Sequence, residues 1–102
     1  MLEQKFHTLS ESTLISLADK IEALDKKSEL DVEYSDGILT ILIESSSKQY
    51  VINKHSASQK IWYSSPFSGA NYFSFDENTS KWLDLKGDEL ENKLLAEIKK
   101  VL

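Results

Sequence analysis

Nine carboxylates crowd the first third of the sequence. Glu3, Glu11, Asp19, Glu22, Asp25, Glu29, Asp31, Glu33 and Asp36 stand there against four lysines. Residues 37–102 balance acids against lysines, so the entire net charge of −5 belongs to residues 1–36. A surface built this way attracts cations and basic partners and repels nucleic acid and anionic membrane. Cysteine is absent, which removes disulfides, thiolate nucleophiles, thiolate zinc sites and clusters held by four cysteines. Any metal must therefore bind through carboxylates, the two histidines or carbonyl oxygens, a hard donor set that discriminates poorly among hard cations.

One constellation places a histidine among the acids. Glu3, His7 and Glu11 are spaced i, i+4, i+8 and stack along one helical stripe. They could ligate a transition metal, or form an ion-pair ladder near a fraying terminus. Ser64 and Ser65 lack the G-x-S-x-G setting of a nucleophile elbow. With glycine only at 37, 69 and 87 there is no phosphate-cradling loop, so nucleotide binding is not expected.

The elements that must carry these groups are legible from periodicity. Residues 2–25 have the 3.6-residue pattern of an amphipathic helix. On a wheel of 100° steps Leu2, Phe6, Leu9, Thr13, Leu17, Ile21 and Leu24 share an arc of roughly 100°. Glu11, Asp19, Glu22 and Asp25 lie on the far side, with Ile15 among them. From Glu29 the period becomes two. Leu30, Val32 and Tyr34 alternate with acids, Asp36-Gly37 supplies a type I′ hairpin turn, and 38–43 is a nearly continuous apolar strand. Further strands are expected at 48–54, 59–65, 71–75 and 81–84. A closing helix follows, with Asp88 as N-cap, Glu91 three residues on, and Leu90, Leu94, Leu95, Ile98, Val101 and Leu102 as its apolar stripe.

At 102 residues, 40% hydrophobic and 28% charged, the chain is expected to form a single domain over 1–102. The order α, antiparallel strands, α implies an α+β, two-layer sandwich. Two terminal helices pack on one face of an antiparallel sheet of five to six strands. No apolar run is long enough to span a membrane. Without a signal or transit pattern at the N-terminus, a cytoplasmic protein is the expectation.

Residues 50–69 are the most distinctive stretch. The Asn53-Lys54 strand end, Ile61-Trp62-Tyr63-Ser64-Ser65-Pro66, and Ser68-Gly69 leading into an aromatic strand together resemble the frataxin family, its bacterial CyaY-type members most of all. Phe6-His7-Thr8-Leu9, the acidic first helix and Asp36-Gly37 extend the resemblance over the whole chain. His55, Ala57, Lys60 and Asn71-Tyr72 depart from the usual family residues, all of them around Trp62.

The resemblance implies weak, reversible binding of iron (Fe2+ or Fe3+) along an acidic ridge on the first helix and first strand. Carried over by position, the ridge is Glu11, Asp19, Glu22, Asp25, Glu29 and Asp31, with Glu3, His7 and Glu33 as weaker contributors. Asp19 and Glu22, about 60° apart on one helical face, are the favoured pair. The same residues would also serve as an ordinary solvated face. In the alternation Ile61, Trp62, Tyr63, Trp62 points away from the helices and Trp82 belongs to the core. An exposed tryptophan beside Asn53 and Lys60 has the composition of an interface hot spot.

The resemblance further implies an accessory protein of iron–sulfur cluster assembly. It would act as iron donor or regulator of the cysteine desulfurase–scaffold complex, carry no cluster of its own, and dock through Trp62, Asn53, Lys60, Asp19 and Glu22. A monomer is expected, with metal-driven oligomers as a variation. It is not expected to be an enzyme. A weak ferroxidase or iron-detoxifying protein is the enzymatic alternative, although no Glu-x-x-His pair of the di-iron kind occurs. An acidic interaction module with no metal role is the third.

Overall fold

A computed structural model describes residues 1–102. Helix α1 (Glu3–Leu24) is followed by six strands and a closing helix α2 (Leu90–Val101). The strands are β1 (Leu30–Ser35), β2 (Ile38–Ile43), β3 (Lys48–His55), β4 (Lys60–Ser65), β5 (Gly69–Asp76) and β6 (Lys81–Leu83). They form one antiparallel sheet in sequence order, a meander with β1 and β6 at its edges. Both helices pack on one face, so the architecture is the expected α+β sandwich, with six strands.

Register follows from the hydrophobic alternation. Leu30, Val32 and Tyr34 of β1 lie opposite Ile43, Ile41 and Leu39 of β2, which places their side chains on the helix-covered face. Tyr50 and Ile52 of β3, Ile61 and Tyr63 of β4 and Phe73 of β5 continue that face and are fully buried. With Phe6, Leu14, Leu17, Ile21, Trp82, Leu90, Leu94 and Ile98 they make one contiguous core. The β1–β2 turn is of the expected kind, since Asp36 and Gly37 both have positive φ, +50° and +78°. A Cβ on Gly37 would also meet the Lys54 side chain at 2.7 Å, so glycine is required there twice over.

Two expectations need correction. The buried face of α1 is Phe6, Ser10, Leu14, Leu17, Ala18 and Ile21, rotated by roughly 60° from the arc drawn on the wheel. Leu2 is 79% exposed, and Leu9, Thr13 and Leu24 are only half-buried. The sheet selects the stripe that brings small residues, Ser10 and Ala18, to the helix–sheet contact. Thr13 lies at its rim, where its hydroxyl accepts a hydrogen bond from the Trp82 indole at 2.9 Å.

The N-cap of α2 is Glu89 rather than Asp88. Its carboxylate accepts from the Glu91 and Asn92 amides. Asp88 is drawn into the preceding turn instead, where the Asp84 carboxylate accepts from the Lys86 and Asp88 amides, both at 2.9 Å. No helix is long and apolar enough to cross a membrane.

Candidate functional site

Carboxylates of the later part of α1 and of β1 are distributed around one edge of the sandwich. Asp19 and Glu22 stand exposed on the outer side of α1, with Glu11 half-buried on its flank. Glu29 is exposed just before β1. Asp31 and Glu33 alternate with the buried residues of β1 and so occupy the sheet face opposite the helices. Because β1 is an edge strand, the two groups bracket it from either side. The half-buried Tyr34 lies between them. Its phenol is raised above its ordinary range by burial and then by the negative charge of Glu11.

These groups differ in how free they are. Asp25 is committed to the backbone: one carboxylate oxygen accepts from the Glu29 amide at 2.8 Å and the other from the Leu30 amide at 2.9 Å. It closes the turn that delivers the chain from α1 to β1. Glu11 accepts from His7 Nε2 at 2.8 Å, and the Lys54 ammonium meets His7 Nδ1. His7 thus links Lys54 of β3 to Glu11. Glu3 does not join this chain, although it lines the same shallow hollow as His7, Gln4, Phe6 and Ser56.

Asp19, Glu22, Glu29, Asp31 and Glu33 make no side-chain ion pair. Lys20, near the C-terminal end of α1, is turned towards Glu91 of α2 at 2.6 Å and does not pair with them. No three His, Asp or Glu side chains converge on a single point. Chemically, the edge can hold cations through one or two carboxylates each, with water completing the coordination.

The second candidate surface is the bare face of the sheet. Trp62 is half-buried between its neighbours Asn53 on β3 and Tyr72 on β5, while Ile61 and Tyr63 are fully buried on the other side. Trp82 is in the core. The Trp62 and Tyr72 rings meet edge to face at 4.9 Å. The Lys60 ammonium stands over Tyr72 at 5.9 Å, and His55 packs against that ring at 5.8 Å. Trp62, Lys60 and Asn53 therefore do share one surface. Tyr72 completes it and was missed by sequence reasoning, because only strand register brings it beside Trp62.

A third group had no signal in the sequence. Glu97 of α2 accepts from the Ser65 hydroxyl at 2.6 Å and from Tyr50 at 3.0 Å on one oxygen. Its other oxygen accepts from Ser68 at 2.8 Å. Burial alone would raise this carboxyl, but the hydroxyl donors outweigh it and hold Glu97 below its ordinary range. Burial, then Glu97, push the Tyr50 phenol upward, and Tyr63, whose buried hydroxyl has no partner, is raised for the same reasons.

A family profile described as a frataxin-like domain matches residues 1–102. The chain is 33% identical to "Frataxin, mitochondrial" of Arabidopsis thaliana over 93% of its length, and 32% identical to the protein of that name from Caenorhabditis elegans over 98%. It spans about half of the Arabidopsis protein (52%) and 76% of the nematode one. Among solved structures, frataxin from Psychromonas ingrahamii, studied within the CyaY protein family, superposes with a TM-score of 0.83 at 23% identity, over 98% of this chain and 90% of that one. Trimeric yeast frataxin complexed with ferrous iron superposes with a TM-score of 0.79 at 33% identity, over 91% of this chain and 84% of that one.

Proposed function

The chain belongs to the frataxin family, and on that premise we propose that it is an iron-binding accessory protein of iron–sulfur cluster assembly. Iron is its cargo, taken up weakly and reversibly and passed on, and the cysteine desulfurase with its scaffold protein is its partner. The observation that carries this reading is the set of exposed, unpaired carboxylates flanking β1: Asp19, Glu22, Glu29, Asp31 and Glu33. Oxygen ligands held singly at a solvated surface favour a labile hard cation over a permanently seated one. The ferrous complex of the yeast relative supports iron as that cation. A basic desulfurase surface meets the same edge, and the Trp62–Tyr72 face adds an aromatic anchor. The narrower assignment, a CyaY-type member working in the cytoplasm, rests on the residue 50–69 motifs. Fractionation of the source cells decides it against the mitochondrial setting of the relatives above.

The test is a titration read by NMR, first with Fe2+ under anaerobic conditions and then with desulfurase. The expected outcome is broadening centred on residues 19–33, followed by desulfurase-induced shifts at the same amides and around Trp62. Asp19→Lys with Glu22→Lys abolishes the desulfurase response while the fold is retained. Unchanged desulfurase binding by that variant overturns the ridge assignment. An adaptor with no metal role predicts no broadening at all. A ferroxidase predicts protein-dependent acceleration of Fe2+ oxidation once O2 is admitted.

A further inference from the structure

A cavity of about 630 Å3 opens beside the C-terminal end of α2, outside the carboxylate set and the Trp62 face. It lies between the end of β2, the start of β3, the loop after β4 and the last turns of α2. Its apolar wall is Ile43, Phe67 and Val101, and its charged lining is Lys48, Lys100 and Glu97. The volume is within the range of roughly 300–1,000 Å3 that small-molecule sites occupy. Phe67 on this wall is 52% exposed.

The charges on this wall are not mutually satisfied. Glu97 is engaged by Ser65, Tyr50 and Ser68, with the Lys93 ammonium 3.9 Å away. Lys48 and Lys100 have no ion-pair partner, and the Lys48 ammonium stands over the Phe67 ring at 5.2 Å. In a chain of net charge −5, two free ammoniums beside an apolar hollow are complementary to one kind of occupant. We infer that this cavity is a binding site for a small amphipathic carboxylate. The hydrocarbon part covers Phe67, Ile43 and Val101, and the carboxylate lies against Lys48 and Lys100. The ammoniums supply recognition and the apolar wall supplies most of the affinity.

The experiment titrates the full chain with octanoate at low ionic strength and follows backbone amide shifts, with 1-octanol and acetate in parallel. Saturable shifts confined to residues near 43–48, 67–68 and 97–101 are expected with octanoate, with weaker binding of octanol and none of acetate. Lys48→Ala with Lys100→Ala weakens octanoate binding about tenfold, the loss of two exposed charge contacts. The inference is overturned if octanol binds as well as octanoate, or if the shifts are absent or spread over the whole molecule. It is also overturned if the same shifts appear on raising protein concentration alone, which would make a second copy the occupant. The octanol comparison uses the unaltered protein, so it decides the matter even if the double variant does not fold. Neither lysine belongs to the β1 edge, so failure here leaves the proposed iron role standing.

Discussion

Carboxylates around β1 and the carboxylate of Glu97 on α2 do opposite work. Around β1 they are exposed, unpaired and spread over helix and strand. At the C-terminal end of α2, Glu97 is half-buried and takes three hydroxyl hydrogen bonds from residues 29 to 47 positions away. A carboxylate whose lone pairs are filled by the protein is structural, and one left to water is available to a cation. Composition cannot separate these classes. Asp25 shows this, because it sits in the acidic stretch yet spends both oxygens on backbone amides.

The largest test of that contrast is Glu97→Ala. It leaves the Tyr50, Ser65 and Ser68 hydroxyls without their acceptor, and a loss of about 3 kcal/mol in urea denaturation is expected from three unmet partners. The pH dependence has a definite sign. Folding lowers the Glu97 carboxyl below its ordinary value of 4.5. Its stabilisation is therefore complete above that value and is lost as pH falls through the lower folded one. Asp84 is lowered as well: burial opposes this, but the Asp88 amide, Asn71 and the Lys86 amide prevail. Its contribution disappears in the same acid range. Glu97→Gln should flatten the fall in stability below pH 4.5, measured as urea midpoints across that range. An unchanged slope would remove Glu97 from the account.

Asp25→Ala comes next. Two backbone amides at the α1–β1 turn lose their acceptor, and a cost of about 1–2 kcal/mol is expected because water can reach this turn and replace part of the loss. Iron-induced broadening should persist at Asp19 and Glu22. A full loss of iron binding with stability intact would instead make Asp25 a ligand and blur the contrast between the two groups.

Local patterns were legible where a single element decides them. The nearly continuous apolar strand 38–43, the Asp36-Gly37 turn and the opposite placement of Trp62 and Trp82 all follow from period-two alternation and turn chemistry. The α1 face was misplaced because a wheel ranks residues by hydrophobicity, while the sheet selects for fit and admits Ser10 and Ala18. The α2 cap moved by one residue because Asp84 competes for the Asp88 backbone. Tyr72 beside Trp62, Lys54 beside His7 and the hydroxyls around Glu97 are products of register and packing between distant elements. No spacing within one element encodes them. The resemblance of residues 50–69 supplied the family, and the structure shows which carboxylates of residues 1–36 have no ion-pair or backbone partner.

The smallest expected effect on stability is the most informative about function. Asp19→Asn with Glu22→Asn removes two exposed charges that the fold does not use. Relieving repulsion among the β1-edge acids should leave the urea midpoint unchanged or raise it slightly. The same variant should lose most of the iron-induced broadening over residues 19–33, because no neighbouring pair shares one exposed helical face as these two do. Stability and cargo binding would then move independently at this edge, whereas at Glu97 stability alone should respond. A clear loss of stability in the double variant would show that the edge carboxylates are held by the fold after all.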